Sequence, residues 1–154
     1  MSDKRSTAKR ILRSKDKEPF IQSLLSEECA VFREIWRLLL FAAQVGVQNQ
    51  RREPLALPDS AKGIDQATFG NCPSWPGILY LMALVETKSP DALSGGSQRE
   101  DTRIQMFQEY ANGGLAIMAE FFADRNIDQE GVLAFIDLQT QKDGKKPVDL
   151  DHLI

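Results

Sequence analysis

A chain of 154 residues with 42% hydrophobic and 27% charged content has the size and make-up of one soluble domain with a real core. The longest unbroken apolar run in its principal hydrophobic segment, Leu38 to Ala43, falls far short of the ~20 residues that cross a bilayer, and no apolar stretch follows the charged N-terminus, so neither a membrane span nor a secretory signal is expected. The net charge of −3 is uneven: Met1 to Lys17 carries seven basic residues against two acidic ones, a surplus of +5 that leaves −8 for the remainder, the make-up of nucleic-acid contact, of docking to an acidic partner, or of an ordinary solvated terminus.

Residues 1–13 are polar and basic without a period and are expected to form a flexible arm, residues 14–140 a helical domain, and residues 141–154 a linker and tail. A first helix is expected from near Asp16 or Glu18. Pro19 is tolerated in its first turn, where a missing N–H costs nothing, and Phe20, Ile21, Leu24 and Leu25 form its apolar face. Ser26-Glu27-Glu28 reads as a fresh helix start, with acids where the dipole favours them. The hub helix follows, from about Phe32 to between Gly46 and Gln50. Ile35, Leu38, Leu39 and Ala42 repeat at helical spacing beside a second stripe of Trp36, Leu40, Ala43 and Val47, and a helix apolar over most of its circumference must be surrounded by other elements. It delivers a charged knuckle, Arg51-Arg52-Glu53-Pro54.

Beyond a proline-containing connector, Asp65 as cap, Ile64 and Phe69 at the staple positions and Gly70 as closure predict a helix of one or two turns. Ser74 caps a strongly apolar helix over Gly77–Lys88, which stops before Ser89-Pro90. Ser97-Gln98-Arg99-Glu100 fits the capping box. Ile104, Phe107, Ala111, Leu115, Met118 and Phe122 then hold one helical phase across Asn112-Gly113-Gly114. Two interior glycines cost roughly 2 kcal/mol relative to alanines. Because the phase does not slip, one long helix is expected, with the glycines where another backbone approaches; a break at a glycine cap is the alternative. Asp128 caps a last helix, with Ile127 and Val132 at staple positions and Val132, Leu133, Phe135 and Ile136 on its apolar face. Gln141 to Pro147 is linker-like, and Leu150, Leu153 and Ile154 give the tail an apolar character that suits docking back or meeting a partner. No stretch alternates as a strand. The expected fold is all-α: a compact single-domain bundle of about five helices plus a short one-turn helix, with a basic flexible N-terminal arm.

The residues do not assemble a reaction. His152 is the only histidine and stands in the tail, which excludes histidine-dependent triads and most zinc sites. Cys29 and Cys72, far apart, suit neither a disulfide framework nor a ligand pair; inert thiols in a reducing cytoplasm are expected. Gly95-Gly96 and Gly113-Gly114 match no phosphate-binding loop or dinucleotide fingerprint. Asp101, Glu109 and Glu120 have no like-charged partner at metal-bridging spacing, and the Glu-x-x-His pair of di-iron bundles is missing. No catalytic residue, metal site or cofactor is expected. Two polar clusters remain, Arg13 to Glu18 and Arg51-Arg52-Glu53. Arginines at the hub's exit complement the helix dipole, worth a few tenths to about 1 kcal/mol, or bind phosphate or a partner carboxylate through bidentate forks. The structural reading leads for Arg52 and the two are even for Arg51. Aromatics do not interleave with the basic residues, so no base-stacking platform is indicated.

The runs R-S-K-D-K-E-P-F (Arg13 to Phe20), L-L-L-F-A-A-Q-V-G (Leu38 to Gly46), R-R-E-P (Arg51 to Pro54), L-M-A-L-V-E-T-K-S-P-D-A-L-S (Leu81 to Ser94) and, most specifically, F-Q-E-Y-A-N-G-G-L (Phe107 to Leu115) resemble the small proteins called dnd system-associated protein 4. The resemblance covers Arg13 to Phe122 and includes Glu53, Asn112, Gly113 and Gly114 as motif positions. It implies a setting: the prokaryotic machinery that places sulfur in the DNA backbone, and the restriction modules that spare DNA so marked. It brings no catalytic residues. The expected function is a non-catalytic adaptor or regulator of such a defence system, acting through contacts with protein components of the modification or restriction complex. The alternative is a DNA-binding accessory that contacts phosphates through Lys9, Arg10, Arg13 and Lys15 of the arm, with Arg51 and Arg52. Two nearly all-apolar helices in so short a chain also leave surface for a homodimer.

Overall fold

In the computed structural model the described residues are 9–93 and 97–142. Among them lie six α-helices joined by short 3-10 turns, with no strand: α1 (Glu18–Leu24), α2 (Ile35–Gln48), α3 (Gln66–Phe69), α4 (Trp75–Thr87), α5 (Ser97–Phe121) and α6 (Gln129–Lys142). The fold is all-α, and α3 is the expected one-turn helix.

Its axis is the pair α2 and α5, which share the most extensive contact between any two elements. Leu38, Leu39, Ala42, Ala43 and Val45 are buried from α2, and Ile104, Phe107, Ala111, Leu115 and Met118 from α5. The hub is thus buried on its α5 side, but it is not surrounded as its all-round apolar surface predicts: Leu40, Phe41 and Val47 are only partly covered, on the side that faces α4. α5 runs unbroken through Asn112-Gly113-Gly114, and the reason is contact between backbones. A Cβ on Gly114 would lie 2.6 Å from the carbonyl carbon of Ala42, one on Gly113 2.8 Å from that of Arg51, and one on Gly46 of α2 2.9 Å from that of Tyr110. Glycine on both helices lets their main chains approach beyond what any side chain permits.

Aromatic groups close the two sides. Phe69 of α3 stacks on Trp75 of α4 at 4.4 Å, and Phe107 meets both edge-on at 5.7 and 5.1 Å. On the other side Phe135 of α6 lies 5.2 Å from Phe121 and 6.2 Å from Phe41. Asp128 caps α6 as expected, accepting from the Gly131 N–H at 2.7 Å.

Several expectations need correction. The arm does not extend to Arg13: Ile11 is 1% exposed and exchanges backbone hydrogen bonds with Ile64 at 2.8 and 2.9 Å, while Asp59 N–H donates to Arg13 O and Lys15 N–H to Leu57 O. A single isoleucine in a polar stretch sets up no period, yet it fills a place in the core. Residues 1–8 lie outside the described ones. Ser26 closes the first helix rather than opening the hub, its hydroxyl donating to Ser23 O at 2.7 Å. The hub begins only at Ile35. α4 starts two residues early, at Trp75, with Pro76 in its first turn. Asp65 and Ser74 stand at N-cap positions but make no capping bond with their side chains, Asp65 pairing with Arg10 instead. Leu133 is 53% exposed and contributes nothing to the core. Gln141 and Lys142 belong to α6, and the rest of the expected linker and tail lies outside the described residues, as do the side chains of Ser97 and Gln98 on which the capping box rests.

Candidate functional site

The knuckle Arg51-Arg52-Glu53-Pro54 is built by the way α2 ends. Gln50 takes a left-handed conformation with φ 53°. This lets Arg51 N–H donate to Gly46 O at 2.9 Å and Gln50 N–H to Val47 O at 3.1 Å, the two bonds of a Schellman termination. Asn49 Nδ2 donates to Val45 O at 2.8 Å. The chain then crosses α5. Glu53 N–H donates to Glu109 O at 3.0 Å, and Asn112 Nδ2 donates to the carbonyls of Glu53 and Pro54 at 3.3 and 3.1 Å. Gly113 makes room for the Arg51 carbonyl. Glu53, Asn112, Gly113 and Gly114 thus form one joint, the seat of the hub and its exit on α5.

Both arginines of the knuckle are held by acids. Arg51 Nε donates to Glu53 at 2.6 Å and its Nη1 to Glu120 at 2.9 Å. Arg52 Nη1 donates to Glu86 at 2.9 Å and its Nε to Glu109 at 3.3 Å, with the guanidinium 6.0 Å from the Tyr110 ring. The Tyr110 hydroxyl donates to the second oxygen of Glu86. The hydrogen bonds that Arg51 donates to Glu53 and Glu120 push its pKa up. Burial opposes the charge on Arg52, but Glu86 and Glu109 outweigh it and hold it above its ordinary value. The Tyr110 hydroxyl and then Arg52 draw Glu86 down, and burial together with Glu86 pushes Tyr110 up to about 12. Four carboxylates surround two guanidiniums, so the exit of the hub is acidic on balance.

The N-terminal cluster is similarly engaged. Arg13 grips Glu18 with Nε at 2.7 Å and Nη2 at 3.1 Å, and its Nη1 donates to Lys62 O at 2.9 Å. The Arg13 hydrogen bonds hold Glu18 down at about 2. Lys9 pairs with Asp101 at 3.5 Å and Arg10 with Asp65 at 3.2 Å, both about half-exposed; such pairs are worth 0 to about 1 kcal/mol. Lys15 is exposed and has no ion-pair partner among the described residues. Among the described residues no hydrogen bond or ion pair joins this cluster to the knuckle, so the six basic candidates fall in two separate places. Among the described residues no three metal-ligating side chains converge, and no helix is long and apolar enough to cross a membrane. Cys29 is buried, and burial raises its thiol pKa, which leaves it unreactive.

The partners Glu86, Tyr110 and Glu120 were not assigned to this site by sequence. Glu86 carried no local signal: it is an exposed carboxylate at the end of α4, and its cation, Arg52, comes from beyond the far end of another helix.

The family model of DNA sulphur modification system-associated protein 4 matches residues 10–153, so the chain belongs to that family. The match takes in α6 and most of the tail as well as the segments of likeness. No curated protein and no solved structure matches the chain.

Proposed function

We propose that this member of the DNA sulphur modification system-associated protein 4 family is a non-catalytic adaptor or regulator in a phosphorothioation-linked restriction-modification and antiviral defence system, working in the cytoplasm through contacts with that system's protein components. The observation that supports it is the state of the basic residues. Of the six candidates for phosphate contact, five are paired with carboxylates of the same chain. A phosphate at the knuckle must displace Glu53 and Glu120 or Glu86 and Glu109 and approach against their charge, whereas a protein partner can dock without breaking those pairs.

Co-purification from the native host, followed by mass spectrometry, tests the reading. Subunits of the modification or restriction complex should come down with the full chain. Recovery of the chain alone at low and moderate salt refutes it. Direct DNA contact is the competing reading, supported by exposed Lys15 and by the charge of residues 1–8. Binding through phosphates weakens steeply with salt because each neutralised phosphate releases counterions. A gel-shift series over salt decides, comparing the full chain with Lys9→Ala/Arg10→Ala/Lys15→Ala and with a chain starting at Lys9. Deleting further would strip out buried Ile11. Tight, salt-sensitive binding by the full chain that the variants lose would favour DNA.

A further inference from the structure

The face formed by α2 and α4 carries a groove and a ridge side by side. The groove is open and apolar. It holds about 290 Å³ and is lined by Leu40, Gln44 and Val47 of α2 and by Ile78, Leu81 and Val85 of α4. Gln44 is the one polar side chain in the lining among the described residues, so the groove lacks the convergent polar groups that orient a small ligand. The ridge is the outer side of α4. That helix turns Leu79, Met82 and Ala83 inward, while Leu81 and Val85 are 62% and 60% exposed and Ile78 is half-buried. From Trp75 to Val85 it carries no charged residue on any side. A helix apolar all round belongs between two layers, and this one has a layer on one side only.

We propose that the second layer is another copy of this chain, in a two-fold dimer where α4 of each copy lies in the α2–α4 groove of the other. Ridge and groove match in length: Ile78 to Val85 and Leu40 to Val47 each cover ~10.5 Å of helix. They also share one face, as a two-fold contact requires, because the same surface must both insert and receive. Outside Met1 to Lys17 the chain carries −8, so two copies repel except where they meet without charge, and the lining of this groove has none. Gln44 suits such a contact, since a carboxamide both donates and accepts and so pairs with its own counterpart across the axis, as a lone polar residue does in helical dimers. The two ends of the face differ in sign. Arg52, just beyond α2, pairs with Glu86 of α4, so both helices finish at the knuckle. Its four carboxylates outweigh Arg51, Arg52 and the neighbouring Lys88. At the other end Arg37, on the same stripe of α2 as Leu40 and Gln44, is exposed and has no carboxylate partner among the described residues. With the axis perpendicular to the face, the helices of the two copies run antiparallel, and each knuckle comes to the other copy's Arg37.

Sedimentation velocity of the purified full chain over a range of concentrations tests this. It needs no other component of the defence system, so a negative result leaves the adaptor reading standing. A reversible dimer is expected. Leu81→Asp or Val85→Asp, at exposed positions, should raise its dissociation constant ~10-fold or more, each change counting twice across the axis, while circular dichroism and the thermal midpoint stay those of the parent. Leu57→Asp, at a position 56% exposed outside the groove lining, should leave the dimer intact. In a mixture of two differently labelled copies, NMR cross-peaks are expected between the Leu81 and Val85 methyls of one and the Leu40 and Val47 methyls of the other. A chain that stays monomeric throughout overturns the proposal without reliance on any variant. A dimer that Leu81→Asp leaves unchanged overturns it as well, by placing the contact on another face.

Discussion

Gly114→Ala sets two effects of opposite sign against each other. Alanine is the better helix former, and in the interior of α5 the exchange is worth up to about 1 kcal/mol in favour of the variant. The added Cβ, however, falls 2.6 Å from the carbonyl carbon of Ala42 and 3.1 Å from its Cα, where carbon atoms settle at ~3.5–4.0 Å. The neighbour is main chain and cannot rotate away, and the Ala42 carbonyl oxygen lies closer still than its carbon, so α2 must recede by at least roughly 1 Å. A gap of that size forfeits a quarter to a half of the attraction across the contact, along the helix pair that holds most of the core. Overpacking costs about 1–3 kcal/mol, and a backbone obstacle belongs at the upper end. The net expectation is a loss of about 2 kcal/mol, or a melting temperature lower by roughly 4–8 °C for a domain of this size. Urea titration and thermal melting followed by circular dichroism measure it. Gly77→Ala is the control: Gly77 lies in α4 with nothing within 4 Å of its Cβ position, and it should gain about 0.5–1 kcal/mol. A Gly114→Ala protein as stable as the parent, or gaining like Gly77→Ala, would refute the close-approach account of α5.

Gln50→Gly should stabilise by about 1 kcal/mol in urea titration, because Gln50 holds φ 53° where a Cβ costs roughly 1–2 kcal/mol; a loss would mean that its side chain matters more than its backbone. Glu18 has a folded pKa of about 2 against an ordinary 4.5, so its stabilisation is complete above pH 4.5 and disappears as pH falls from there towards 2. Asp16, lowered by Ser14 and Lys17, acts in the same sense. The urea midpoint should fall across that window and fall less in Glu18→Gln, with about 1.5–3 kcal/mol at stake for charge-assisted bonds; equal pH dependence in both proteins contradicts the assignment. Glu86→Gln should lower the Tyr110 pKa from about 12 part of the way to its ordinary value, read by ultraviolet titration with Tyr110→Phe identifying the band. An unmoved titration would show that burial alone raises it.

The sequence was most informative where a period persisted. Ile104 to Phe122 kept one phase across Gly113-Gly114, and that continuity predicted the long helix and the close neighbour correctly. Ile11 left no such trace: its place depends on Ile64, more than fifty residues away, and a single apolar residue in a basic run carries no register. Ser26-Glu27-Glu28 misled because the same residue types open and close helices, and the hydrogen bond from Ser26 to Ser23 decides which. At the knuckle the charged types were legible and their partners were not. Glu86, Glu109 and Glu120 reach Arg51 and Arg52 from two other helices, a convergence that no local spacing encodes.

The glycine joint between α2 and α5 also bears on the order in which the chain folds. Gly46 and Gly113 lie on helices separated by all of α3 and α4, so this contact forms only after a long loop is closed. Helical proteins fold fast when their contacts are local, and distant pairings slow them. The joint therefore commits the chain late: α2 and α5 can each begin as isolated helices, yet neither is held until the other arrives. Stopped-flow kinetics should show Gly114→Ala acting chiefly on the unfolding rate, as expected for a contact completed after the transition state. An effect chiefly on the folding rate would make the joint part of the nucleus.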